Sequence, residues 1–129
     1  IVSAFCAENT AEEDAEFVAR LKGFVDEWLE LSMTIGTAAM ENPDAAGAAA
    51  VDYLMYSGYV TLGYFWARMA VLARQKIEQA DGDVSFYEAK LMTARFYFDR
   101  ILPRTRAHKK SMLTGPENLM SMPEAMFDF

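Results

Sequence analysis

The residues of this chain that could do chemistry are few and scattered. Its one histidine, His108, lies in the basic run "RTRAHKK" with Arg104, Arg106, Lys109 and Lys110. Its one cysteine, Cys6, has no histidine near it in the sequence to draw off its proton. A single histidine excludes multi-histidine metal sites, and the Glu-x-x-His pairs of di-iron bundles do not occur. Gly-rich phosphate loops, nucleophile elbows and Cys-x-x-Cys pairs are also absent from the sequence. His108 and its neighbours read as cations complementing the dipole at a helix C-terminus, with phosphate binding as the sharper alternative. The stretch "EEDAE" (Glu12 to Glu16) and the pair Glu27 and Glu30 read as solvated acidic faces. Catalytic, cofactor-binding and metal-ligating residues are therefore all expected to be none in this chain.

Composition narrows the partners. With 129 residues, 53% apolar and 24% charged, the chain is long enough for one domain with a buried core. A formal charge of −7 argues against nucleic acid, which needs a basic face for its phosphates. One cysteine cannot close an internal disulfide, which fits a reducing compartment and a cytoplasmic location. The first residue is Ile1 and no signal-peptide pattern follows it. Residues 1–129 are expected to form a single helical bundle domain, the C-terminal fragment of a longer chain.

Helical spacing then supplies the scaffold. A first helix is predicted from about Thr10 to Met40, opened by a Thr10–Glu13 capping box and dipole-favoured Asp14 and Glu16. Its apolar stripe is Phe17, Leu21, Phe24, Trp28, Leu31 and Ile35, with Lys22, Asp26 and Glu30 facing water. Asn42 as N-cap and Pro43 at the first helical position open a second helix that runs to about Ala80. A third starts with a Ser85–Glu88 capping box and carries Tyr87, Leu91, Ala94, Phe98 and Ile101. Pro103 ends or kinks it, and the chain resumes helical to about Leu113. The expected fold is all-α: an up-down bundle of three long helices plus a short C-terminal segment.

The second helix holds "VDYLMYSGYVTLGYFWARMA", residues 51 to 70. The uncharged window between Asp52 and Arg68 is too short for a membrane span, which needs ~20 residues. On a helical wheel one apolar face holds Val51, Leu54, Met55, Gly58, Leu62, Phe65, Met69 and Leu72. A second holds Tyr56, Val60, Gly63 and Ala67, with a thin polar line of Ser57, Thr61, Tyr64, Arg68 and Gln75 between. Such a helix is expected to be central, buried by several neighbours, with its two glycines marking close approaches. The tyrosine hydroxyls are expected to find partners. Arg68 pairs with a carboxylate or lies at the surface; a small-molecule pocket with Arg68 as anion anchor is the weaker reading. A spare patch of Ala89, Met92 and Phe96, flanked by Arg95, Asp99 and Arg100, is either a docking surface or covered by the tail "NLMSMPEAMFDF".

Two stretches carry a family resemblance. Tyr53 with Leu54, Gly58 to Val60, Leu62 to Tyr64 and Trp66 to Ala70 are one set. Lys90 with Leu91, Thr93 to Phe98 and Leu102 with Pro103 are the other. Together, over about residues 45 to 115, they resemble the C-terminal helical extension of large bacterial acyl-CoA dehydrogenases of the methylthiopropanoyl-CoA kind. The resemblance implies a parent enzyme that holds FAD and oxidises acyl-CoA to 2-enoyl-CoA, with a glutamate base and a flavin hydride acceptor lying upstream. The family's Tyr-Glu-Gly-Thr stretch has no counterpart here, since Tyr87-Glu88 is followed by Ala89 and Lys90. No catalytic or cofactor residue is therefore carried over. The implied partner is the catalytic body, with a homo-oligomer also in view; a free-standing helical interaction module is the alternative.

Overall fold

The computed structural model describes residues 1–127 and is helical, with no strand among the described residues. Helix α1 spans Val2–Glu8, α2 Ala15–Glu41, α3 Asp44–Glu78, α4 Val84–Phe96 and α5 Thr105–Met112. A short α6, Glu117–Met120, and a 3-10 turn at Glu124–Phe127 follow. Between α4 and α5 the chain stays coiled through a π turn, Tyr97–Ile101, and a 3-10 turn, Leu102–Arg104. Pro103 lies in that second turn, so it bends the third arm without ending it. The all-α bundle of three arms is as expected; α1 is an addition.

At two helix starts that differ from expectation, an aspartate displaces the hydroxyl residue. Helix α2 begins at Ala15 after a 3-10 turn at Glu12–Asp14, and no side chain caps it. Thr10 and Glu13 form no capping box, because the entry is fixed instead by nearly buried Asp14, which accepts from Arg74 of α3 at 3.1 Å. Asp83, not Ser85, caps α4, accepting from the backbone N–H of Ser85 at 3.0 Å and of Phe86 at 3.4 Å. The Asn42 side chain does accept from the Asp44 N–H at 3.0 Å, but α3 begins at Asp44, with Pro43 in the cap position and not the first helical one. At the far end of α3, the Ala80 N–H reaches the Ile77 carbonyl and the Asp81 N–H the Lys76 carbonyl, a Schellman closure. Its left-handed residue is Ala80, with φ of 48°.

The core lies where α3 meets α2 on one side and the α4–α5 arm on the other. Phe17, Leu21 and Leu31 from α2 meet Tyr56, Val60 and Ala67 from α3 and Ala94, Phe98 and Leu102 from the third arm. The rings of Phe17 and Phe98 pack edge to face, 5.5 Å between centroids. Cys6 on α1 completes the edge of this cluster, and Phe5 meets Tyr64 edge to face at 5.4 Å.

Helix α3 is central yet not enclosed, which overturns the expectation of burial on both apolar faces. The face of Tyr56, Val60, Gly63 and Ala67 is buried. The face of Val51, Leu54, Met55, Gly58, Leu62, Phe65 and Leu72 is open: Val51 is 73% exposed, Leu62 52% and Phe65 48%. Three arms suffice to cover only one side of a 35-residue helix. The glycines follow the same division. A methyl group at Gly63 would meet the ends of Leu102 and Leu21 at 3.6 and 3.7 Å, an ordinary contact, and one at Gly58 would meet nothing within 4 Å. Neither glycine marks an approach that excludes a side chain.

Candidate functional site

Where α2, α3 and α5 converge, a buried tyrosine and two charges meet. The Tyr56 hydroxyl donates to Glu27 Oε1 at 2.6 Å, and Lys109 donates to the other oxygen of the same carboxylate. Burial works to raise the Glu27 carboxyl, but the hydrogen bonds from Lys109 and Tyr56 outweigh it and hold the group below its ordinary range. Burial, then the hydrogen bond to Glu27, push the Tyr56 phenol far up, so it stays protonated and donates to the carboxylate. Glu27 is thus not the solvated acid that its sequence neighbours suggest. The arm that continues past Pro103 along α3 brings Lys109 to it, which the linear sequence does not display.

Two members of the basic run are engaged, Lys109 with Glu27 and His108 with Asp52. His108 Nδ1 lies 2.7 Å from Asp52 Oδ1, with the imidazole 5.7 Å from the Tyr59 ring. Lys109 and Lys110 fall in the last turn of α5, as the dipole reading expects, whereas His108 is engaged with α3. Of the "EEDAE" acids, Asp14 and Glu16 are also not simply solvated. Arg74 bridges both, at 3.1 and 3.6 Å, and Arg95 grips Glu16 at 2.6 and 3.0 Å. Arg20 donates to Asp99 at 2.9 Å and to the Phe98 carbonyl at 2.6 Å. These pairs tie the start of α2 to α3 and α4. Arg68 lies at the surface over the Tyr64 ring, 5.5 Å from its centre.

The tyrosine expectation holds for Tyr56, for Tyr97, whose hydroxyl donates to the Tyr59 carbonyl at 2.8 Å, and for Tyr53, 2.7 Å from the Ser32 hydroxyl. Burial pushes the Tyr97 phenol up to about 12. Among the described residues no three His, Cys, Asp or Glu side chains are grouped to hold a metal.

Clefts are small and open. One of about 220 Å³ lies between Cys6, Thr10 and Lys22, and one of about 170 Å³ between Met69, Leu72 and Phe86. Burial raises the Cys6 thiol, away from the reactive thiolate. Sites for cofactors run to ~300–1,000 Å³, and neither of these two clefts alone is large enough for a flavin dinucleotide.

What remains distinctive is open apolar surface. The patch on α4 is exposed, Met92 by 68% and Phe96 by 58%. The described part of the tail does not cover it: Leu119 lines a cleft with Ala48 and Asp52 at the far end of α3, and Met120, Met122, Met126 and Phe127 are exposed. The tail's last two residues, 128 and 129, lie outside the described residues. No helix of the described residues is long and apolar enough to cross a membrane.

Against known proteins, residues 1–123 match the family described as acetyl-CoA dehydrogenase C-terminal like. The chain belongs to this family. A search of curated proteins gave no match. As an acetyl-CoA dehydrogenase C-terminal-like domain, the chain is of the accessory kind, and such a domain implies association with a catalytic body. The match extends past the stretches at residues 45 to 115 that carry the resemblance, taking in α1 and all of α2.

Proposed function

We propose that this chain is the C-terminal accessory domain of an FAD-dependent acyl-CoA dehydrogenase whose parent enzyme oxidises acyl-CoA to 2-enoyl-CoA, of the methylthiopropanoyl-CoA dehydrogenase-like subgroup, in the cytoplasm. Residues 1–129 form one domain in that reading, with catalytic glutamate and flavin contacts contributed by an upstream body. The observation that carries it is the family match over residues 1–123. Two features of the fold support it. Asp14, Glu16, Glu27, His108 and Lys109 are tied up in pairs between helices, and large apolar surfaces on α3 and α4 are left without a cover. An accessory domain is expected to look this way, because its apolar surplus is used against another body. Self-association belongs to the same reading.

The test begins with the coding sequence upstream of Ile1. It is expected to encode an acyl-CoA dehydrogenase body, and a native start codon just before Ile1 would sink the proposal. The protein expressed from the whole gene should be yellow and should reduce a dye acceptor when given acyl-CoA. The 129-residue chain alone should be colourless and gain no thermal stability from acyl-CoA or flavin.

A further inference from the structure

The open face of α3 is more regular than an exposed apolar patch needs to be. Ala48, Val51, Met55, Gly58, Leu62, Phe65, Met69, Leu72 and Lys76 succeed one another in strictly alternating steps of three and four. That is the a/d seam of a left-handed helix pair, sustained over ~42 Å of helix axis. Its middle, Val51 to Phe65, is uncovered among the described residues, with Leu62 and Phe65 about half exposed and open space above Gly58, while Phe86 edges it beside Met69 and Leu72 and Leu119 edges it beside Ala48. The seam calls for a second helix.

We propose that this helix is α3 of a second copy, packed antiparallel about a twofold axis at Leu62. In that register the position numbers of facing residues add to about 124, so Met55 faces Met69, Val51 faces Leu72 and Ala48 faces Lys76. Gly58 then faces Phe65, and the twofold axis makes this happen twice. The seam's one gap therefore receives its one aromatic ring, which is the knob-and-hole match that this packing requires. A parallel pairing would instead set Gly58 against Gly58 and Phe65 against Phe65.

Charge fits the same partner. The chain carries a net charge of −7, which opposes self-association over most surfaces. Between Ala45 and Ala67, however, Asp52 is the only charged residue of α3, and His108 engages it off the seam. Antiparallel pairing opposes the two helix dipoles favourably and keeps Lys76, which pairs with Asp81 of its own chain, at the rim. Exposed Phe86, which shares a cleft with Leu72, and exposed Leu119, which shares one with Ala48, flank opposite ends. The twofold axis brings these ends together. The inference does not depend on what the parent enzyme oxidises.

Sedimentation velocity and cysteine cross-linking test it on the chain as it stands. The chain should sediment as a dimer, and Leu62→Glu should raise the dissociation constant by at least about tenfold with helical circular dichroism unchanged. In a Cys6→Ala background, Leu62→Cys should cross-link to itself through a short bis-maleimide. Val51→Cys should not cross-link to itself, since the two copies of that position lie ~33 Å apart along the axis, but should do so when mixed with Leu72→Cys. If Leu62→Glu loses its fold, the cysteine pattern decides alone. A monomer at every concentration would overturn the proposal in favour of a different occupant such as the catalytic body. Self-cross-linking at Val51→Cys, or a dimer indifferent to Leu62→Glu, would overturn it as well.

Discussion

Helix α3 carries two seams of the same kind and gives them different fates. Ala49, Tyr53, Tyr56, Val60, Gly63, Ala67, Ala70 and Arg74 repeat in steps of four and three, and so do Ala48, Val51, Met55, Gly58, Leu62, Phe65, Met69, Leu72 and Lys76. Each has one glycine and no charge before its last residue. The first is packed against α2 and the α4–α5 arm; the second faces outward. Their compositions do differ in one respect. The covered seam uses small residues and tyrosines, which admit neighbouring helices closely and hand each hydroxyl to a partner, whereas the open one uses Val, Leu, Met and Phe, which have no polar end to satisfy. Hydropathy says which side chains avoid water, but it does not say whose atoms will cover them.

The sharpest break between the seams should come from truncation. Tyr56 is fully buried, so Tyr56→Ala should cost about 3–5 kcal/mol, read by urea denaturation. Leu62→Ala, measured in dilute solution where single chains prevail, should stay within about 0.5 kcal/mol. Equal losses would mean that the open face is covered within one chain. Enlargement should separate them in a second way. Gly63→Leu must push aside Leu102 and Leu21 and should cost about 1–3 kcal/mol, while Gly58→Leu should fold without loss.

The covered seam also has a pH signature that the open one lacks. Glu27 accepts from Tyr56 and Lys109, and its carboxyl is held below the ordinary value. A depressed carboxyl stabilises the fold fully above the unfolded-state pKa of ~4.3 and loses that contribution as pH falls through the lower folded-state value. The Glu27 side chain is about a third exposed, so screening reduces its effect to about 1 kcal/mol at pH 7. Glu27→Gln should therefore be less stable than wild type at neutral pH, and the two curves should converge as the pH drops below ~4. A gap that persists under acid would trace to lost packing and not to the charge.

Much of this arrangement is legible in the sequence, and the departures share a cause. The three long arms, the apolar stripe of α2, the Asn42 side-chain bond and the turn at Pro103 are set by neighbours in the chain, so local spacing displays them, whereas it does not display α1. The start of α2 departs from its capping-box pattern because Asp14 is committed to Arg74, sixty residues away. His108 looks like a helix-end cation because its partner Asp52 lies 56 residues off. The end of α3 near Ala80 is as expected, although both Ala80, with φ of 48°, and Gly82, with φ of 88°, take positive φ there. The open seam is legible as a pattern, but an uncharged helix with two apolar faces does not reveal whether its neighbours belong to the same chain. Its strict alternation, without any hydroxyl to be satisfied, is the available sign of a partner helix from outside.

The two glycines allow the smallest and most selective test. Relative to glycine, alanine in a helix interior is favoured by about 0.5–1 kcal/mol through the lower entropy of its unfolded chain. Gly58→Ala has open space around it, so thermal denaturation of the single chain should shift upward by a few degrees, about 4 °C per kcal/mol for a domain of this size. Gly63→Ala should shift it similarly, because its methyl group meets Leu102 and Leu21 at ordinary contact distance. The variants should part only when copies meet. The methyl group at Gly58 occupies the gap that Phe65 of a second chain would enter, so that variant alone should dimerise more weakly. If both alanines stabilise and neither touches association, the notch at Gly58 receives no ring and the two seams differ only in exposure.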